Sequence, residues 1–135
     1  MSVNIAFQGY EVLKMNYERR QPSVKKSENI NLEPMFTQTI HDNADNADLH
    51  LLDLGVKIDQ PDFPIQMEVL LRGRFAIAGN HDDVMKMMQI NATAILFPYL
   101  RSTLSMMTTL AAIPPITLPT VNMADAFLKA KEDRG

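Results

Sequence analysis

Cysteine and tryptophan are absent from this 135-residue chain, glycine occurs five times, and the formal net charge is only −3. Without cysteine there is no disulfide, no thiolate zinc or iron–sulfur site and no thiol nucleophile. The few glycines form no phosphate-cradling loop, and no serine sits in a Gly-x-Ser-x-Gly elbow. A weakly acidic chain also lacks the basic surface that nucleic-acid binding normally requires. The first residues, Met-Ser-Val-Asn-Ile-Ala-Phe-Gln, have neither a basic stretch nor a long apolar run, so no signal peptide is expected. Residues 102–124 are uncharged, but Pro114, Pro115 and Pro119 and seven Ser or Thr make them a poor membrane span. The expectation is one cytoplasmic domain, since soluble domains usually run ~100–150 residues.

The titratable residues form no constellation that signals catalysis. His41, His50 and His81 are scattered, and none pairs at helical ligand spacing. Asp42, Asp45 and Asp48 cluster in His-Asp-Asn-Ala-Asp-Asn-Ala-Asp. A calcium loop needs a spacing of two, a glycine and a closing glutamate, and this cluster has none of them. A solvated acidic loop is expected there, with no cofactor, no metal site and no enzymatic activity.

Charge is unevenly placed. Residues 1–30 carry five basic and three acidic side chains, residues 31–90 four and ten, and residues 91–135 four and three. Between Gln89 and Met123 the sole charge is Arg101. So long an uncharged stretch has to be buried against something.

Period-2 alternation marks the first two-thirds as strands. Ile65, Met67, Val69, Leu71, Phe75 and Ile77 alternate with Gln66, Glu68, Arg72 and Arg74. Leu52, Leu54, Val56 and Ile58 alternate with Asp53, Gly55, Lys57 and Asp59, and Pro61-Asp-Phe-Pro64 turns one run into the other. Near the start, Val3, Ile5 and Phe7, then Leu13, Met15 and Tyr17, keep one parity around a weak point at Gly9. Ile30, Leu32, Phe36 and Ile40 suggest a further strand, with Pro34 pointing to an edge or bulge. Strands are expected over about 2–18, 29–41, 49–59 and 64–78.

Helical signals follow Gly79-Asn80. Asp82 and Asp83 suit a first helical turn, which favours negative charge. The pattern runs over about 82–110, with a break near Asn91 and a kink or restart at Pro98. The prolines of 113–119 read as extended, and a short helix over about 122–132 opens on the cap Asn122. The fold class is therefore α+β: a four-stranded antiparallel sheet with one long and one short C-terminal helix packed on one face.

The long helix carries more apolar surface than one sheet covers. Leu96, Leu100, Met107 and Leu110 form one stripe, Ile95, Tyr99 and Met106 the adjacent one, and Phe97 and Leu104 are read as lying away from the first. Such a girdle predicts burial on two sides, the second supplied by another subunit. Met85, Met87 and Met88 are assigned to interface or core.

Residues 91–123 resemble a known family. Ile95-Leu-Phe-Pro-Tyr-x-Arg101, the later Pro115-x-x-Leu-Pro-x-Val-Asn122, and Phe75-Ala-Ile-Ala-Gly79 before them resemble SecB, the bacterial protein-export chaperone. The resemblance covers about 75–123, and the order of elements agrees over the chain. It implies a homotetramer, a dimer of dimers with the long helices at the tetramer interface, where Phe97, Tyr99, Arg101, Leu104 and Met107 would pack. It also implies an ATP-independent holdase that binds unfolded precursor polypeptides and delivers them to the motor SecA. Met35, Phe36, Ile113, Ile116, Leu118, Val121, Met123 and Phe127 are the implied client-binding residues. Glu18 and Glu68 are the implied motor-binding acids. The family's polar acidic tail and its tryptophan have no counterpart in 129–135 or elsewhere, and Lys14 occupies a third position expected to be acidic. The resemblance thus speaks for client holding more than for delivery. It leaves room for a SecB-like chaperone dedicated to an antitoxin, or an oligomeric adaptor on the same fold.

Overall fold

A computed structural model describes residues 4–20, 33–42, 48–61 and 63–110. The short helix expected over 122–132 lies outside the described residues. Four strands, β1 (Ile5–Arg19), β2 (Met35–Asp42), β3 (Leu49–Ile58) and β4 (Ile65–Ile77), form one sheet in the order β1-β4-β3-β2. Every neighbouring pair is antiparallel. β2, β3 and β4 follow one another across the sheet, and β1 lies beside β4, so β1 and β2 are its edges.

The alternation of β3 and β4 sorts their side chains between two faces. Leu52, Leu54, Val56 and Ile58 of β3 and Ile65, Met67, Val69, Leu71, Phe75 and Ile77 of β4 are all buried on the inner face. Helix α1 (His81–Met87) begins at Asn80, whose side chain accepts a hydrogen bond from the Asp83 backbone N–H. One π-helical turn, Met88–Ala92, separates it from α2 (Thr93–Leu110). The widened turn is met from β2: the Gln38 amide donates to the Gln89 carbonyl at 3.1 Å and to Thr93 Oγ1 at 2.6 Å. This interruption spans Asn91, and α2 continues unbroken through Pro98.

One arc of α2 is buried: Thr93, Leu96, Phe97, Leu100, Thr103, Leu104, Met107 and Thr108. At 100° per residue these positions fall on one side, so Phe97 and Leu104 flank Leu96 and Leu100 rather than opposing them. The three buried threonines stay satisfied by donating back to the helix, Thr93 to the Met88 carbonyl, Thr103 to that of Tyr99 and Thr108 to that of Ser105. α2 approaches the sheet closely at Gly73, where a Cβ would stand 2.8 Å from the Phe75 ring and 3.1 Å from Leu96 Cδ2.

β1 departs from a simple parity. Its register against β4 shifts between Phe7 and Tyr10 and again between Val12 and Lys14. Gly9, at φ 101°, sits in the first shift, a conformation that costs glycine little. Each shift moves the register by one residue in the same sense, so together they restore the parity, and Met15 and Tyr17 share the inner face with Ile5 and Phe7. Between the shifts, Tyr10 and Val12 take that face, opposite Gly73 and Leu71. Leu13, expected with Met15 and Tyr17, falls within the second shift instead.

Candidate functional site

The inner face of β1 is apolar and uncovered. Val12, Met15 and Tyr17 lie directly opposite Leu71, Val69 and Met67, each fully buried. Yet Tyr10, Val12, Met15 and Tyr17 themselves remain 39–49% exposed. The reason is geometric: α2 lies over β3 and β4 and reaches β1 at one end. There Tyr99 meets Phe7 at 5.6 Å and Tyr10 at 4.7 Å between ring centroids, and Phe7 meets Phe75 at 5.2 Å. Tyr99 and Met106 are two helical turns apart and so share a flank of α2, with Leu110 one turn beyond Met106. Tyr99 is exposed, Met106 is 62% and Leu110 79% exposed, and Ile95 of the same flank is half-buried. Strand and flank together make an apolar surface next to the core. Covering each half-exposed side chain is worth on the order of 1 kcal/mol.

The opposite face is polar and internally paired. Arg72 Nε and Nη2 donate to the two oxygens of Asp53 at 2.7 and 2.9 Å, and His41 Nε2 lies 2.9 Å from Asp53 Oδ2. Burial raises the Asp53 carboxyl, but hydrogen bonds from Arg72 and His41 outweigh it and hold the group below its ordinary value. The Asp53 hydrogen bond in turn raises Arg72. This tie links β2, β3 and β4. A second pair, Lys14 with Glu68 at 2.8 Å, links β1 to β4. Among the described residues no three metal-ligating side chains converge.

The residues singled out from sequence separate on this scaffold. Met35 and Phe36 point to opposite faces: Met35 pairs with Lys57 on the polar side, while Phe36 pairs with Val56 and its ring meets Phe97 at 6.2 Å. Met35 therefore cannot share one apolar groove with Phe36. Ile113, Ile116, Leu118, Val121, Met123 and Phe127 lie outside the described residues. Glu18 and Glu68 both belong to the polar face, at the Asn16–Gln66 end, and Lys14 already neutralises Glu68. Phe97, Leu104 and Met107 are buried in the chain's own core. Tyr99 keeps an exposed surface and Arg101 is half-buried. Tyr10 and Val12 were not legible as face residues, because the register shift at Gly9 hides their parity.

The family model described as preprotein translocase subunit SecB matches residues 7–134. The chain belongs to the SecB family. In fold it is similar to the Mycobacterium tuberculosis SecB-like chaperone Rv1957, solved in complex with a ChAD peptide from the HigA1 antitoxin. That likeness has a TM-score of 0.69 at 12% identity and covers 87% of each chain. A protein of unknown function from Streptococcus agalactiae is similar at a TM-score of 0.50 and 12% identity, over 88% of this chain and 99% of that one. The uncharacterized protein MJ0357 of Methanocaldococcus jannaschii is 37% identical over 79 residues, 58% of this chain. The match spans about half, 51%, of that relative's length. The SecB-like architecture of the sheet and long helix is thus shared with a solved chaperone. No helix among the described residues is long and apolar enough to cross a membrane.

Proposed function

We propose that this chain is an ATP-independent holdase of the cytoplasm, which keeps unfolded precursor polypeptides from folding before export by the Sec pathway. The observation that carries the reading is the exposed inner face of β1, whose side chains continue the buried core yet lie open. An apolar surface of that kind accepts many sequences, and methionine within it adds an adaptable, polarizable contact. Binding only the unfolded state opposes folding by mass action and needs no nucleotide. Assembly as a homotetramer belongs to the same proposal. The α2 flank of Tyr99, Met106 and Leu110 would serve association, and the remaining apolar surface would serve clients, including the implied residues of 113–127.

Delivery to SecA is the finer claim and rests on Glu18 and Glu68. Motor binding that is lost in Glu18→Lys and Glu68→Lys supports export; unchanged binding removes both from the site. A second reading, a chaperone dedicated to an antitoxin, is favoured by two observations. Lys14 offsets one of the motor-facing acids, and the similar fold of Rv1957 was solved with an antitoxin peptide. The deciding experiment compares refolding arrest of a denatured precursor with that of a denatured antitoxin. Export predicts arrest of the precursor. The dedicated reading predicts arrest of the antitoxin alone.

A further inference from the structure

The first register shift of β1 opens a cleft on the polar face of the sheet. Phe7 pairs with Phe75 and Tyr10 with Gly73, so Gln8 and Gly9 both stand opposite Arg74 alone. Two residues against one bend the edge strand and interrupt the ladder there. Beside Gly9 there is room, since a Cβ built on it would meet no atom within 4 Å. The cavity has a volume of about 220 Å³ and is lined by Gln8, Gly9, Tyr10, Glu11, Arg72 and Arg74.

Its hydrogen-bonding capacity is one-sided. A guanidinium has five N–H donors and no acceptor. Arg72 spends two of them on Asp53. Arg74 is exposed and has no hydrogen bond or ion pair among the described residues. Glu11 stands directly across from Arg72 and forms no ion pair with either arginine. Donors exceed acceptors, which suits an oxyanion. Charge decides which one. Asp53 matches Arg72 and Glu11 offsets Arg74, so the cleft has no surplus positive charge to hold a phosphate dianion. A carboxylate is singly charged, planar and matched to the guanidinium fork.

We propose that this cleft binds a carboxylate carried by a polypeptide, with Arg74 as its main anchor, Arg72 as a second donor and Glu11 as the resident competitor. A free small acid, held by the fork alone, would bind no tighter than about millimolar. A tighter occupant brings further contacts, as an acidic side chain or a C-terminus on an extended segment does. The site is separate from the motor-facing acids, because Arg74 and Glu68 are six residues apart on β4, about 20 Å. It also lies on the opposite face from the apolar surface of β1, and stands whether or not that surface holds clients.

The test follows the arginine Nε–Hε signals and the backbone amides of Gln8 and Gly9 by NMR in the full chain. Three capped peptides are titrated: acetyl-Gly-Glu-Gly-amide, acetyl-Gly-Gly-Gly with a free C-terminus, and acetyl-Gly-Gln-Gly-amide. Shifts at Arg74, Gln8 and Gly9 are expected with the first two and not with the third. The tighter of the first two tells an acidic side chain from a terminus. Arg74→Gln, at an exposed position, should weaken binding about tenfold. Arg74→Lys keeps the charge without the fork and should recover little of it. Glu11→Gln removes the competitor and should strengthen binding by about threefold. Equal shifts with the glutamine peptide overturn the proposal, as does undiminished binding by Arg74→Gln or Arg74→Lys. Weaker binding by Glu11→Gln overturns it too. Inorganic phosphate that binds more tightly than the glutamate peptide overturns the choice of carboxylate, and acetate that binds as tightly overturns the polypeptide source.

Discussion

The rings of Tyr10 on β1 and Tyr99 on α2 meet with centroids 4.7 Å apart. The contact joins the edge strand to the flank of the long helix, and both residues remain exposed. An aromatic pair of this kind contributes about 0.5–1.5 kcal/mol beyond the area it buries. Tyr99→Ala should therefore lower stability by about 1 kcal/mol, measured by urea denaturation, and should weaken client holding or assembly more than that figure suggests. Tyr99→Phe keeps the ring and should behave as the parent. Equal loss in both variants would show that the hydroxyl, not the ring, matters.

Asp53 predicts how stability responds to acid. Its carboxyl lies below the ordinary 3.8 because the hydrogen bonds from Arg72 and His41 outweigh burial. A carboxylate whose pKa is depressed on folding stabilises the native state above its unfolded pKa. That contribution is lost as pH falls through the folded value, so the window lies below about pH 4. Asp53→Asn should cost about 1–3 kcal/mol at pH 7, since it leaves Arg72 short of its acceptor. It should also show a smaller further drop in Tm between pH 5 and pH 3 than the parent does. Parallel acid limbs in the two proteins would remove Asp53 as the titrating group.

Gln38 should matter beyond its size. Its amide serves the Gln89 carbonyl and Thr93 Oγ1 where the helix widens. Gln38→Ala leaves both without that partner in a half-buried place and should cost about 1–2 kcal/mol by chemical denaturation. Hydrogen exchange at the amides of residues 88–93 should speed up in the variant. Unchanged exchange there would mean that the π-helical turn stands without Gln38.

His50 should be the reverse case. It is buried, its Nδ1 lies 3.1 Å from Asp42 Oδ1, and its Nε2 meets no partner among the described residues. Asp42 is largely exposed and would be rehydrated if the ring were replaced. Leucine at this site should therefore be neutral or stabilising by up to ~1 kcal/mol, measured by denaturation at pH 7. Destabilisation by more than that would show that the imidazole is satisfied in solution.

What the sequence disclosed follows from how each segment is buried. β3 and β4 are central strands with one apolar face, so period-2 alternation survives along them and their existence and pairing are readable. The turn between Pro61 and Pro64 even fixes their register. Pairing symmetrically about it places Asp53 opposite Arg72 and Lys57 opposite Glu68, as the strands do. Carrying that register through would have found the Asp53–Arg72 tie. β1 was less legible because an edge strand tolerates bulges. Its two register shifts move Tyr10 and Val12 onto a face that strict parity denies them. On α2, the surplus stripe of Ile95, Tyr99 and Met106 was readable from spacing. Phe97 and Leu104 were misplaced because a helix lying on a twisted sheet buries an arc wider than one narrow stripe. Met35 and Phe36 show a third limit: neighbours in a strand face opposite ways, so a resemblance that takes both together cannot describe one groove.

The central claim is that the open inner face of β1 holds unfolded polypeptide, and a charge placed there tests it most directly. Val12 is 44% exposed on the edge strand, so Val12→Asp should cost the fold no more than about 1 kcal/mol. The measurement is the rate at which a denatured precursor refolds in the presence of the parent or the variant, with circular dichroism verifying that both are folded. The account predicts arrest by the parent and near-free refolding with Val12→Asp. Equal arrest by a folded Val12→Asp protein would contradict it.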